Sequence, residues 1–132
     1  MADQQPYVLL VDDDEQTNMI HRRTILKQFP EARIESVTDG RKALRRLLEV
    51  KDGDEACPTH IWLDLSMPTM DGWSFLDALA VNAGRLECRP TVTIVSNSQK
   101  REDRERAQEY PVAGFVDKHM SVSDVDMLLN PN

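Results

Sequence analysis

The sequence predicts an α/β fold in which a doubly wound parallel sheet carries helices on both faces. Short segments rich in Val and Ile alternate along the chain with segments whose apolar residues recur at helical spacing. Parallel strands need a crossover connection, and a helix between successive strands supplies one. Polar residues also follow several of the apolar segments directly, and sheets of this kind bind ligands beyond the carboxyl ends of their strands.

Each predicted strand is short, includes a β-branched residue and is closed by a polar or turn-forming residue. The predicted strands are residues 7–11, 32–37, 60–63, 91–95 and 114–116. Residues 51–59, which contain Asp, Gly and Pro, predict a solvated loop before the third strand.

Most segments between the strands show an apolar stripe, which predicts helices packed on the sheet. The stripe is regular in the second and third helices and in a short last helix at residues 122–129, and less regular in the first. The stripe residues are Ala43, Leu44, Leu47 and Leu48; Phe75, Leu76, Leu79 and Ala80; Val122, Val125, Leu128 and Leu129; and, in the first helix, Met19, Ile25, Leu26 and Phe29.

Residues 99–109 predict a helix of a different kind, because charged side chains occupy most positions and only Ala107 is available for burial before Tyr110. A solvated helix supported by i,i+4 pairs such as Glu102 with Arg106 is the favoured interpretation. A mobile signalling surface is compatible with it, since moving elements come from the least stable parts of a fold.

Composition predicts one domain, because a chain of 132 residues with 40% hydrophobic residues has room for a single core. The formal net charge of -7 disfavours nucleic-acid binding through phosphates, so output should pass through protein contacts. We expect a cytoplasmic protein without membrane insertion, since no signal peptide and no apolar run near the roughly 18 residues of a membrane span is present. Cys57 and Cys88 lack CxxC spacing, and reduced thiols are predicted rather than a disulfide or a zinc site.

Polar groups that follow the apolar segments should gather at one edge of the sheet. Asp12 and Asp13 follow the first strand, Asp64 the third, Ser96 the fourth and Lys118 the fifth. Two carboxylates about 4 Å apart repel by on the order of 4 kcal/mol at an effective dielectric near 20, so a cation is their natural complement. Oxygen ligands without clustered His or Cys favour Mg²⁺, with Mn²⁺ as an alternative, and the spacing of a calcium-binding EF-hand loop is missing.

Such a site can form an aspartyl phosphate, because a carboxylate held beside a metal ion can attack a phosphorus centre. Lys118 would supply a point charge to the phosphoryl group and Ser96 a hydroxyl donor. Taken singly, each residue has a simpler interpretation as a turn, a helix cap or a solvated side chain. Their joint occurrence in this order favours a functional site.

These residues, with Met67-Pro68-Thr69-Met70-Asp71-Gly72 after Asp64, resemble the receiver domain of two-component response regulators, in particular single-domain receivers like the chemotaxis regulator. The resemblance covers about residues 6–129 of a single domain at 1–132. It implies a flavodoxin-like sheet of strand order 2-1-3-4-5. It also implies phosphoryl transfer to Asp64 from a histidine kinase or a histidine phosphotransfer protein.

The resemblance also implies metal ligands. By this resemblance Asp64 would be the phosphoacceptor, Asp13 would bind Mg²⁺ directly and Asp12 would act mainly through water. Ser66 contributes its backbone carbonyl. Asp14 lengthens the acidic run, but the pair is assigned to Asp12 and Asp13 because the apolar strand ends directly before them.

A second group of residues would respond to the phosphoryl group or set the lifetime of the phosphorylated state. The resemblance implies that Ser96 is the switch hydroxyl, that Lys118 contacts the phosphate, and that Phe115 is the aromatic residue that turns inward on activation. Ser66 and Asn97 occupy the positions that tune the lifetime of the acyl phosphate. The face formed by the fourth helix, fifth strand and fifth helix is the implied docking surface for an unidentified downstream protein.

One departure from the family leaves the geometry near Lys118 open. His119 stands where receivers usually have a Pro preceded by a cis bond, and a cis bond before another residue costs about 2.5 to 4 kcal/mol. His21 and His119 are expected at the surface, and Trp62 and Trp73 are expected in packing roles.

Three alternative functions are less consistent with the sequence. An interaction module that keeps the fold but is not phosphorylated is disfavoured by the complete residue set and supported only by His119. A hydrolase that acts through an aspartyl phosphate would need an Asp-x-Asp motif, whereas Asp64 is followed by Leu65 and Ser66. Dinucleotide binding is excluded, since neither a Gly-x-Gly-x-x-Gly nor a phosphate-loop motif is present.

Overall fold

The computed structural model of the protein describes residues 5–50 and 57–130. Within these ranges it contains one sheet, whose strands are β1 Tyr7–Val11, β2 Arg33–Val37, β3 His60–Leu63, β4 Thr91–Val95 and β5 Gly114–Val116. The helices are α1 Glu15–Gln28, α2 Gly40–Leu48, α3 Gly72–Val81, α4 Arg101–Ala107 and α5 Val122–Leu129, with a 3₁₀ turn at Ala83–Arg85. All strand pairs are parallel and the order is β2-β1-β3-β4-β5, as predicted.

The hydrophobic core lies on both sides of the sheet, because successive residues of a strand point to opposite faces. Leu9 and Val11 of β1 belong to the cluster that also contains buried residues of α2 and α3. Val8 and Leu10 belong to a second cluster with Val125 of α5 and Ile25 of α1. This two-layer cover buries β1 entirely, which explains its uninterrupted apolar sequence.

The stripe predicted for α1 is confirmed at Ile25 and Phe29, which belong to or pack against the core, and is wrong at Met19 and Leu26. Met19 is 52% exposed and Leu26 36% exposed, whereas the helix buries Asn18 and His21 beside Ile25. The surface prediction for His21 is therefore also wrong. The reason is tertiary: this face of α1 lies against polar backbone groups at the carboxyl edge of the sheet, where hydrogen-bonding side chains are needed.

Helix α4 is shorter than predicted but has the solvated character expected of it, since Ala107 is its buried residue. Its i,i+4 ion pair joins Arg101 to Glu105 at 2.9 Å. Arg106, predicted to pair with Glu102, instead places its guanidinium 4.5 Å from the centre of the Trp73 ring.

Cys57 and Cys88 form a disulfide, which corrects the prediction of reduced thiols. Their Cα atoms lie 5.4 Å apart although 31 positions separate them in the chain. The reason is strand register: His60 pairs with Thr91, and each cysteine lies three residues before its member of that pair. Two loops that enter neighbouring parallel strands are thereby brought side by side.

Across the described ranges, the helices include none that is both long and apolar enough to cross a membrane.

Candidate phosphorylation site

Three carboxylates meet at the carboxyl edge of the sheet. Asp12 follows β1 and Asp64 follows β3, and the two strands pair with each other. Oxygen atoms of Asp12, Asp13 and Asp64 all lie within 4.8 Å of one another. Asp12 and Asp64 are buried, with 4% and 3% of their surface exposed, while Asp13 is exposed. The arrangement offers a group of oxygen ligands that is open to solvent on the Asp13 side.

Lys118 reaches into this cluster from the loop after β5. Its Nζ lies 2.9 Å from Asp12 Oδ2 and 3.3 Å from Asp64 Oδ1. Burial by itself would lower the pKa of Lys118, but the hydrogen bond to Asp12 and the charge of Asp64 outweigh it and raise that pKa. Lys118 therefore remains an ammonium ion.

Asp64 is the most perturbed carboxylate of the cluster. Burial, followed by the charge of Asp12, raises its pKa to about 6, against the opposing effect of Lys118. Its Oδ2 is buried and has no hydrogen-bond partner among the described residues. A buried carboxylate oxygen without a partner is costly unless a cation or donor compensates it, so the site suits an added hard cation.

The loop after β3 forms the outer wall of the site. A cavity of about 410 Å³ is lined by residues of this loop and by Asp13; its loop residues are Leu65, Ser66, Met67, Pro68 and Asp71. Gly72 closes the loop, and a Cβ there would lie 2.5 Å from the backbone oxygen of Asp64. Asp71 caps α3 by accepting from the Ser74 amide at 2.8 Å. Asp71 therefore sets the start of α3, and Gly72 allows the chain to pass close to the backbone of Asp64.

Ser96 connects the end of β4 to helix α4. It is buried, and its Oγ accepts from the amide of Ser98 at 3.1 Å. Ser98 Oγ in turn donates to Asp103 in the first turn of α4. These two hydrogen bonds connect the Ser96 hydroxyl to the first turn of α4.

Phe115 packs against the core cluster that includes α2 and α3, whereas Asn97 lies near α1. Phe115, in β5, is half-buried, and the Arg104 guanidinium of α4 lies 4.5 Å from its ring centre. Asn97 is exposed and lines a cavity of about 310 Å³ together with His21 and Lys118.

Asp14 and His119 lie at the edge of the site rather than in it. Asp14 is exposed and caps α1, accepting from the Gln16 amide at 3.0 Å, so it is separate from the three-carboxylate cluster. The Lys118–His119 bond is trans, as are all peptide bonds in the described ranges. The side chain of His119 is exposed and contacts Asp117.

Two residues of α1 that the sequence did not assign to the site also belong there. Asn18 Nδ2 donates to the backbone oxygen of Asp12 at 3.0 Å, and His21 Nε2 lies 2.9 Å from the backbone oxygen of Lys118. Their spacing of i, i+3 within a helix whose apolar stripe was irregular was the signal that could have revealed them.

Comparison with protein families matches residues 8–130 to the response regulator receiver domain. A probable methanogenesis regulatory protein, FilR2 of Methanothrix harundinacea, is 29% identical over 124 residues, which cover 91% of this chain and 77% of FilR2. A protein-glutamate methylesterase/protein-glutamine glutaminase of Geobacter sulfurreducens is 31% identical over 116 residues, 84% of this chain but 27% of that protein.

Solved structures show the same fold. A two-component response regulator from Cytophaga hutchinsonii aligns with a TM-score of 0.83 and 26% identity, covering 95% of this chain and 94% of that one. Vibrio cholerae chemotaxis protein CheY4 aligns at 0.73 with 19% identity, covering 92% and 93%. The predicted family is confirmed: this chain belongs to the response regulator receiver domains of two-component signalling.

Proposed function

We propose that the chain is a phosphoacceptor switch of a two-component or phosphorelay system, in which a phosphohistidine transfers its phosphoryl group to Asp64. The donor is a histidine kinase or a histidine phosphotransfer protein, as the family implies. The observation that carries the proposal is the buried Asp64 carboxylate, one oxygen of which contacts Lys118 while the other has no partner within the described ranges.

In the transfer, an Asp64 oxygen forms a bond to phosphorus as the bond from phosphorus to the donor imidazole breaks, and the released imidazole takes up a proton. With its pKa at about 6, Asp64 is mostly ionised at neutral pH and available as a nucleophile. Lys118 already contacts Asp64 and would move to a phosphoryl oxygen, which carries more charge than the carboxylate did. The protein accelerates only its own phosphorylation and dephosphorylation and is otherwise not an enzyme.

Mg²⁺, or Mn²⁺ in its place, would be held by Asp13, Asp64 and the Ser66 carbonyl, and would offset repulsion between the attacking carboxylate and the phosphoryl oxygens. Asp12 would act mainly through water, because its carboxylate oxygens already contact the Lys118 ammonium and the Asp14 amide. The donor set supports this assignment, because it consists only of oxygen atoms and includes an orphaned one.

The output is a change in protein binding. We propose that the Ser96 hydroxyl turns to the phosphoryl group and gives up its bond from the Ser98 amide, which releases the start of α4. Phe115 then moves inward from beneath Arg104. The α4, β5 and α5 face is the proposed docking surface for a downstream protein, and Ser66 and Asn97 are proposed to set the lifetime of the acyl phosphate.

The chain is proposed to act as one receiver domain and in the cytoplasm, where two-component kinases present their phosphohistidines. Disulfides are uncommon in cytosolic proteins other than redox-active and hyperthermophilic ones. The Cys57–Cys88 bond is therefore an observation that counts against the proposed cytoplasmic location.

The test is incubation with Mg²⁺ and acetyl phosphate, followed by intact mass measurement. Wild type should gain one acid-stable, alkali-labile phosphoryl group, and Asp64→Asn should gain none. Asp14→Asn is the matched control, since it removes a neighbouring carboxylate while Asn caps a helix as well as Asp does. No adduct on wild type, or an adduct that persists in Asp64→Asn, would favour an unphosphorylated interaction module instead.

A further inference from the structure

A buried histidine connects helix α1 to the loop that carries Lys118. His21 is 4% exposed, and its Nε2 lies 2.9 Å from the backbone oxygen of Lys118, a residue 97 positions away in sequence. Its ring also meets the Trp62 ring edge-on, with centroids 5.6 Å apart. Trp62 lies on β3 two residues before Asp64, so His21 contacts β3 as well as the loop after β5.

The chemical role of the imidazole follows from its partner. Burial lowers the pKa of His21, so the ring is neutral near physiological pH and carries one N–H. The backbone oxygen of Lys118 can only accept a hydrogen bond, and therefore the proton is on Nε2. His21 is a donor to the loop rather than a charge beside the Lys118 ammonium.

Beyond the ion pairs of the Lys118 side chain and the packing of Met120 against the core, the hydrogen bonds that this loop forms by itself are local. The amide of His119 bonds to Asp117 at 2.8 Å, and Ser121 forms a capping box with Asp124, all within the same short stretch. The exposed side chain of His119 does not reach the sheet. The bond from His21 connects the Lys118 backbone directly to helix α1.

The same helix also holds the partner of Lys118. Asn18, one turn before His21, is 4% exposed and donates to the backbone oxygen of Asp12 at 3.0 Å. The side chains of Asp12 and Lys118 are themselves 2.9 Å apart. One face of α1 therefore fixes the backbones of both members of this ion pair.

We propose that His21 is a positioning residue for phosphorylation: by donating from Nε2 to the Lys118 backbone oxygen, it holds the Lys118 ammonium where the phosphoryl group of Asp64 will form. The inference rests on the proposed function of Asp64. It assigns His21 an effect on the phosphoryl group and none on the metal ion, because its contact is to the lysine loop and not to a proposed metal ligand.

Three variants at position 21 separate hydrogen bonding from packing. His21→Gln keeps an amide donor of similar reach, His21→Asn has the same donor on a side chain one methylene shorter, and His21→Phe fills the space without a donor. We expect His21→Gln to keep the rate of phosphorylation by acetyl phosphate, and His21→Asn and His21→Phe to lower it roughly tenfold, the usual effect of losing one hydrogen bond. The affinity for beryllium trifluoride, a phosphoryl mimic, should fall in parallel, while the Mg²⁺ dissociation constant stays unchanged.

Equal rates in wild type and His21→Phe would overturn the proposal. So would a His21→Gln variant no better than His21→Phe, or a loss of Mg²⁺ affinity that matches the loss of rate, since either would mean general damage to the fold. If His21→Phe does not fold, the comparison of His21→Gln with His21→Asn decides the question.

A measurement that needs no phosphorylation separates this inference from the proposed function. Nitrogen-15 spectra of the His21 ring should show the Nε2–H tautomer at neutral pH, and the Nδ1–H tautomer would overturn the positioning role. A wild-type protein that gains no phosphoryl group would overturn the function of Asp64, whereas the tautomer of His21 would still show whether its ring donates to the Lys118 loop.

Discussion

The ammonium of Lys118, a half-buried residue, lies 2.9 Å from a carboxylate oxygen of the buried Asp12 at the edge of the sheet. The same ammonium lies 3.3 Å from Asp64, so one cation serves two carboxylates. The cluster is left with an excess of negative charge; burial, followed by the charge of Asp12, raises the pKa of Asp64 to about 6 even though a lysine contacts it. This imbalance should be measurable in the titration and the stability of the protein.

Removal of the lysine should raise the pKa of Asp64 further. In Lys118→Met, the buried carboxylates of Asp64 and Asp12 lose their cation, and the charge that lowers the pKa of Asp64 is removed. Carboxyl carbon-13 titration by NMR should place the pKa of Asp64 above its wild-type value. Lys27→Met, which removes an exposed lysine of α1, should leave it unchanged; an unchanged pKa in Lys118→Met would contradict the electrostatic account.

Neutralisation of Asp64 should stabilise the metal-free protein at neutral pH. Its folded-state pKa of about 6 exceeds the ordinary value of 3.8, so the folded protein loses stability as pH rises through this window. Asp64→Asn should therefore be more stable than wild type by about 1 to 3 kcal/mol at about pH 7, and the gain should disappear toward about pH 4. Urea unfolding across that range measures it, and Asp14→Asn should show no such gain. A gain of the same size at both pH values would rule out titration of Asp64 as its cause.

Mg²⁺ should raise the melting temperature. An ion that binds only the folded state adds about 2.7 kcal/mol at a concentration 100 times its dissociation constant. We expect Asp13→Ala to abolish this rise in melting temperature, because Asp13 is a proposed direct ligand of the metal ion. Asp14→Asn should preserve the rise, because Asp14 lies outside the three-carboxylate cluster. A thermal scan with and without the metal checks both, and a normal shift in Asp13→Ala would remove that residue from the ligand set.

Reduction of the Cys57–Cys88 disulfide should lower stability without affecting phosphorylation. A crosslink between residues 31 positions apart lowers the entropy of the unfolded chain. In the loop-entropy model this raises the free energy of unfolding by about 3 to 4 kcal/mol. The cysteines precede β3 and β4, at the end of the sheet opposite Asp64. Denaturant unfolding with and without reductant measures the loss, with Cys57→Ser as a control that should not respond. Equal stability in both conditions would mean that the bond is not formed in solution.

Loss of the Arg104 side chain should favour the activated arrangement. The guanidinium lies over the Phe115 ring, a contact worth about 0.5 to 1 kcal/mol at an exposed site, and it stabilises the ring where it now lies. Arg104→Gln should therefore bind beryllium trifluoride about two- to fivefold more tightly. Arg101→Gln, on the same helix but paired with Glu105, is the control. Weaker binding in Arg104→Gln would show that the contact supports the activated state instead.

The fold and most of the proposed site could be predicted because both depend on local sequence patterns. Apolar segments closed by polar residues mark strands whose ends meet at one edge, and this pattern predicts that Asp12, Asp64 and Lys118 lie together. The errors concern pairs of residues far apart in the chain. The disulfide could not be foreseen because it depends on the register of β3 against β4, which no local pattern encodes.

Helix α1 shows the same division. Its sequence predicted a helix after the acidic run, and the structure shows that this helix begins at Glu15, directly after a cap at Asp14. Only the tertiary structure decided that it would bury Asn18 and His21 rather than Met19 and Leu26. Hydrophobic periodicity predicts burial against apolar surface, whereas here the helix packs on backbone oxygens of Asp12 and Lys118 that need donors. The sequence by itself determined the alternation of elements and the polar groups that end the strands, and the packed structure decided which distant groups complete the site around them.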